Sequence, residues 1–181
     1  MKIISRLFVS SLFAGAVALA SSTAHAESTR GAGYVQGNVL GYTTFLNSFG
    51  GSAYPLEIHG GYHIGGTHEG FVIGATQKFL FASGGFVGAT VARAGYDIAI
   101  PIKEFELTVA PYGYAGISYG DALGEARVHF GFGAEARFFP LVEGAGKGFF
   151  ATARPFEIGF MPGTGTTFVP YNFSLGAGYA F

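Results

Sequence analysis

The chain has 181 residues, 49% of them hydrophobic and only 12% charged, with a formal net charge of −1; a soluble domain is about a quarter charged. The absence of cysteine excludes disulfide scaffolds, thiolate metal sites and cysteine nucleophiles, and the near-neutral charge leaves no basic footprint for nucleic acid. Thirty-one glycines without a Gly-X-Y period exclude collagen, and 17% aromatic residues exclude disorder.

Residues 1–26 read as a secretory signal peptide. Lys2 and Arg6 supply the positive start, Leu7 to Ala20 an apolar run, and Ala24-His25-Ala26 the small-x-small cleavage pattern. The run is short for a spanning helix of ~20 apolar residues. Cleavage leaves residues 27–181 as one domain, with 8 basic and 11 acidic residues.

From there the chain alternates apolar and polar residues almost to its end, the period of an extended strand with two unlike faces. Gly33 to Phe45 alternates weakly. In the second segment Tyr54, Leu56, Ile58 and Tyr62 oppose Pro55, Glu57, His59 and His63. Gly70 to Phe81 follows, with Gln77 on the wrong face. Phe86 to Ile100 places Arg93 and Asp97 together, opposite Ala92, Ala94, Tyr96 and Ile98. In Phe105 to Tyr119, Leu107, Val109 and Ile117 oppose Glu106, Thr108, Tyr112, Tyr114 and Ser118. The cleanest segment is Glu125 to Phe138: Val128, Phe130, Phe132, Ala134, Ala136 and Phe138 on one side, Glu125, Arg127, His129, Glu135 and Arg137 on the other. Phe149 to Met161 slips phase at Pro155, which predicts a bulge. The last segment presents Tyr171, Phe173, Leu175, Tyr179 and Phe181 together. The intervening stretches carry turn chemistry, among them Asn47 to Gly51, Gly65-Gly66-Thr67, Ser83-Gly84-Gly85, Pro101 to Glu104 and Glu143 to Gly148. Eight strands joined by short turns predict an all-β, antiparallel, up-and-down barrel.

Charge placement decides which face points outward. The polar face of the predicted strands holds five cations (Lys78, Arg93, Arg127, Arg137, Arg154) and six anions (Glu57, Asp97, Glu106, Glu125, Glu135, Glu157). That is far too little charge for a solvated exterior, and nearly balanced, as a narrow interior requires. Aromatic residues mark the ends of the apolar face, as in the girdles of a transmembrane barrel. An apolar exterior in water would exceed the patch a soluble monomer tolerates.

The signal peptide, the eight strands and the terminal Tyr171-Asn172-Phe173-Ser174-Leu175-Gly176-Ala177-Gly178-Tyr179-Ala180-Phe181 together resemble the small OmpA/OmpX-type outer-membrane β-barrels. The resemblance is one of architecture and spans the whole mature chain. It implies a Gram-negative outer membrane, contact with its lipids including lipopolysaccharide, and delivery by periplasmic chaperones to the barrel-assembly machinery. Phe173, Leu175, Tyr179 and Phe181 would form the assembly signal. It also implies a monomer without cofactor, although the long extracellular loops of the family are missing.

Candidate chemistry is sparse. His59 and His63 share a face, but four residues along a strand separate them by roughly 13 Å, too far for one metal ion. The lipid A deacylases among small barrels carry a His-x-Ser pair; here His129-Phe130-Gly131 lacks the serine. Ser118 and Ser174 face the predicted lumen with no legible base. The strongest polar feature is a charge ladder of Glu125, Arg127, His129, Glu135 and Arg137, with Arg93, Asp97 and Glu57 facing it. It reads as an interior network that neutralises buried charge, or as the lining of a pore. Pro111 and Pro155 interrupt strands of a barrel that has no edge. They read as two bulges, or as a lateral seam through which an apolar molecule leaves. The expected function is a structural or accessory outer-membrane protein, not an enzyme. The alternatives are a narrow channel for small or apolar solutes and, more remotely, a lipid-modifying enzyme.

Overall fold

The computed structural model describes residues 32–46, 52–66, 68–82, 84–102, 105–140 and 147–181. The signal-peptide reading lies outside them, as do most of the turns at Asn47 to Gly51 and Glu143 to Gly148. Eight strands follow in chain order: β1 (Gly33–Phe45), β2 (Ser52–His63), β3 (Gly70–Ala82), β4 (Gly85–Ile102), β5 (Phe105–Tyr119), β6 (Arg127–Pro140), β7 (Gly148–Phe160) and β8 (Pro170–Ala180). Each pairs antiparallel with the next, and β1 pairs with β8 to close the barrel. Closure removes every edge, so ladder hydrogen bonds can be satisfied within the wall.

The period-2 pattern becomes an inside and an outside. Phe71, Ile73, Ile117, Val128, Phe132 and Phe149 are among the large apolar side chains left exposed on the outer face, while Glu57, Lys78, Arg93, Asp97, Arg137 and Arg154 are buried in the lumen. Aromatic side chains pair across neighbouring strands towards both rims. Phe71 meets Tyr96 and Phe149 meets Tyr179 at the end that holds the termini; Tyr42 meets Phe173 and Phe130 meets Phe160 towards the opposite end. Such cross-strand pairs contribute about 0.2–1 kcal/mol each.

Two positions depart from the expected strand limits. The fourth strand runs on through Pro101 and Ile102, which pair with Glu106 and Phe105, so Pro101 belongs to the strand and not to the expected turn. Glu125 lies before β6 rather than within it, and its side chain is 42% exposed. It therefore leaves the predicted lumen ladder: the chain is still turning out of the 3-10 turn at Asp121–Leu123 when it reaches Glu125.

Three irregularities break the ladders. In β1 the register with β8 shifts between Asn38 and Leu40, so Val39 and Leu40 both point outward. This bulge is why β1 alternates weakly in sequence. The second lies at Pro155, where the pairing of β7 with β8 shifts between Arg154 and Glu157, as the phase slip predicts. In both, a tyrosine hydroxyl from the next strand donates to a bulge carbonyl, Tyr54 to Val39 and Tyr171 to Pro155. A carbonyl left bare in hydrocarbon would cost several kcal/mol. The third is at Pro111, and it corrects the expectation of a bulge there. The β5–β6 register is continuous through Pro111, and β4–β5 pairing stops after Gly95↔Tyr112 and resumes at Ile98↔Val109 in the same register. Proline has removed a donor without inserting a residue.

Candidate functional site

The lumen is stratified. At the end opposite the termini, Ala53, Leu80, Val87, Leu123, Met161 and Phe168 form an apolar plug. At the terminal end Tyr34, Val72, Phe139, Phe150 and Ala180 form a second one. Between them lie most of the charges.

Alternate positions of each strand supply them, because every second side chain points inward. Glu135 on β6 is the centre. Its carboxylate accepts from Arg137 at 2.9 Å, from Gln36 at 2.9 Å, and from Arg93 and Arg154 at 3.3 Å each. Arg137 also reaches Asp97 and donates to the Tyr34 hydroxyl at 2.7 Å. Arg154 pairs with Glu57, which accepts from Asn172 at 2.7 Å. Lys78 pairs with Glu157, and the Tyr112 hydroxyl donates to the same carboxylate at 2.7 Å. The Arg93 guanidinium lies 3.5 Å from the centroid of the Tyr112 ring. With Glu125 outside, the buried charged side chains among the described residues are Lys78, Arg93, Arg127, Arg137 and Arg154 against Glu57, Asp97, Glu106, Glu135 and Glu157. The sum is neutral, which a narrow low-dielectric interior requires.

The predicted ladder on β6 thus divides into three. Glu135 and Arg137 join Arg93, Asp97 and Glu57 in the network. His129 sits apart: its Nδ1 is 2.9 Å from Ser118 Oγ and its Nε2 is 3.2 Å from the Tyr114 hydroxyl. Arg127 belongs to the mouth. It donates to the Thr166 carbonyl at 2.6 Å, lies 4.5 Å from the centroid of the Phe168 ring and meets Glu125 at 3.3 Å. Glu125 in turn accepts from the Thr164 backbone N–H and hydroxyl at 3.2 Å each. Together they hold the segment after β7 over the mouth, where Met161 and Phe168 exchange backbone hydrogen bonds and enter the plug.

The Ser118–His129 contact was not legible in sequence, because the two residues lie on different strands and only the register brings them together. It has two parts of a nucleophile–base–orienter set. The third is Tyr114 rather than a carboxylate, and Ser118 is 0% exposed, so no substrate reaches it in this conformation. His59 bonds to Thr76 Oγ1 at 2.8 Å and to the Tyr34 hydroxyl at 2.9 Å, while His63 bonds to Asp97 at 2.8 Å. Among the described residues no three His, Asp or Glu side chains are grouped to hold a metal ion.

Pro111 and Pro155 both face outward. Behind Pro111 the Tyr112 side chain fills the wall from the inside. It fits because a Cβ at Gly133 would stand 2.7 Å from its hydroxyl and one at Gly95 2.9 Å from its Cβ. Outside, the wall is indented by a groove of about 570 Å³ centred on Pro111. At the chain's end, Phe181 exchanges backbone hydrogen bonds with Gly33 and lays its ring where a Cβ of Gly33 would be, 2.6 Å from the nearest ring carbon. Tyr179, Leu175 and Phe173 lie on the outer face of β8.

No protein-family model matches the chain, and no curated protein matches it in sequence. Among solved structures the fold is similar to that of Neisserial surface protein A, NspA, at a TM-score of 0.58 and 12% identity over 83% of this chain and 97% of that one. A second match is the outer membrane protein Ail of Yersinia pestis, at a TM-score of 0.43 and 16% identity over 83% and 99% of the two chains.

Proposed function

We propose that the protein is an integral outer-membrane β-barrel with a structural or accessory role in the envelope, without catalytic activity, exported by its N-terminal signal and embedded as a monomer. The observation that carries this reading is the inversion of the barrel. The large apolar residues are outside, and most of the charges are inside, neutralised and held between two apolar plugs. An exterior of that kind requires a bilayer. A filled lumen favours a structural role over a channel, since eight strands leave an interior just wide enough for side chains. Lipids of the outer membrane, lipopolysaccharide included, are the partners such a surface meets. Periplasmic chaperones and the barrel-assembly machinery would deliver the chain there.

Cell fractionation and planar-bilayer recording test it. The mature protein is expected in the outer-membrane fraction, to migrate faster unheated than boiled, and to give no unitary conductance. Recovery from the soluble periplasm would overturn the membrane reading; discrete channel openings would overturn the structural role.

The carboxyl-terminal residues are proposed as the assembly signal. Deleting Phe181 is expected to lower the amount inserted in cells more than the stability of the barrel already inserted. Normal insertion of the deletion at modest expression would remove that role.

A further inference from the structure

The groove at Pro111 is shallow and open. Its floor is made of small outward residues, Ala94 on β4, Pro111 and Gly113 on β5, and Ala134 on β6. Phe71 and Tyr96 stand along one side, and Phe132 and Phe156 along the other. Cross-strand register produces this arrangement. Ala94, Gly113 and Phe132 are successive partners across three strands, and so are Pro111, Ala134 and Phe156. The floor residues sit near the middle of their strands, within the outward apolar band, and the Phe71–Tyr96 side reaches towards the rim where β1 begins and β8 ends.

The two true bulges are repaired from within the protein by tyrosine hydroxyls. The ladder gap at Pro111 instead opens onto the groove. On the membrane reading bilayer hydrocarbon covers this apolar band, and the slot between two aromatic walls is open along its length. We infer that this groove seats one acyl chain of a membrane phospholipid, held more tightly than the lipid elsewhere around the barrel. Small floor residues let a chain approach the backbone closely, and the aromatic walls then contact it from both sides. Dispersion contacts of that density are what a smooth barrel wall cannot offer. The inference rests on the membrane reading above.

The chain contains no tryptophan, so a single one can serve as a local reporter. Phe156→Trp places it in the groove, and Ile58→Trp on β2 places it on the outer face away from it. The folded barrel, purified in detergent, would be titrated with phospholipid brominated in mid-chain. Quenching of the groove reporter is expected to saturate near one lipid per barrel, whereas quenching at position 58 rises linearly. Gly113→Leu fills the slot without strain, since a Cβ there meets only the Gly131 carbonyl oxygen at 3.7 Å. It is expected to raise the half-saturation at least about tenfold, about 1.4 kcal/mol. Gly60→Leu, where a Cβ likewise meets only one carbonyl oxygen, at 3.8 Å, is the control and leaves it unchanged. Linear quenching at both reporters, or equal binding by Gly113→Leu, would overturn the site. Saturation by brominated stearate but not by the phospholipid would overturn the assigned source of the chain. Heat-modifiable migration of each variant reports separately that the barrel is folded, so loss of the site and failure of the membrane reading give different results.

Discussion

Glu135→Ala is expected to destabilise the barrel by about 3–5 kcal/mol, the cost of leaving buried charge uncompensated. The carboxylate sits among three guanidinium groups, those of Arg93, Arg137 and Arg154, and also accepts from Gln36. Removing it leaves the four cations of the network, Lys78, Arg93, Arg137 and Arg154, facing three anions, Glu57, Asp97 and Glu157, with the excess positive charge concentrated where Glu135 stood. Water cannot easily relieve this, because apolar plugs close both ends. Glu135→Gln keeps the shape and one acceptor but not the charge, and is expected to recover only part of the loss. Urea unfolding of the barrel in lipid vesicles measures both. A cost below about 1 kcal/mol, the scale of solvated ion pairs, would mean that the lumen is wet and that the network is a pore lining.

Phe132→Arg tests the other face. Phe132 points out from β6 and is 51% exposed, at the side of the mid-wall groove. If the surrounding medium is hydrocarbon, an arginine there costs about 2–4 kcal/mol at the midplane. If it is water, a surface substitution of this kind stays within about 0.5 kcal/mol. The large effect is expected, with Phe132→Leu close to neutral in the same vesicles. Spin labels at positions 130 and 132 should be relaxed by lipid-soluble oxygen, and labels at 127 and 129 should not. Relaxation of the inner pair instead would place the bilayer on the wrong side of the wall.

The legibility of individual features follows from where their physics acts. The bulge at Pro155 was readable because an inserted residue shifts the phase within its own strand. Pro111 leaves the phase intact and acts only across the strand gap, so its effect on β4 and the groove outside it left no trace in the pattern. Glu125 was misplaced because its charge fits the alternation of β6, while only the tertiary course of the preceding turn shows where that strand begins.

The amino-acid sequence by itself determined that there are two faces, how many strands carry them, and, Glu125 apart, which charged residues point inward. Side-chain direction in a strand has a period of two, and separating an apolar face from a charged one needs nothing beyond that period. Which inward residues meet was decided only by closure and register. Glu57 and Arg154 are 97 residues apart, Lys78 and Glu157 79, and Gln36 and Glu135 99. Those pairs form because the barrel brings opposite walls within reach of one side-chain length. The same closure keeps Arg127 and His129 out of the network that their shared face predicts. Height along the barrel, which alternation does not encode, set Arg127 at the mouth, His129 beside Ser118 and Glu135 at the centre.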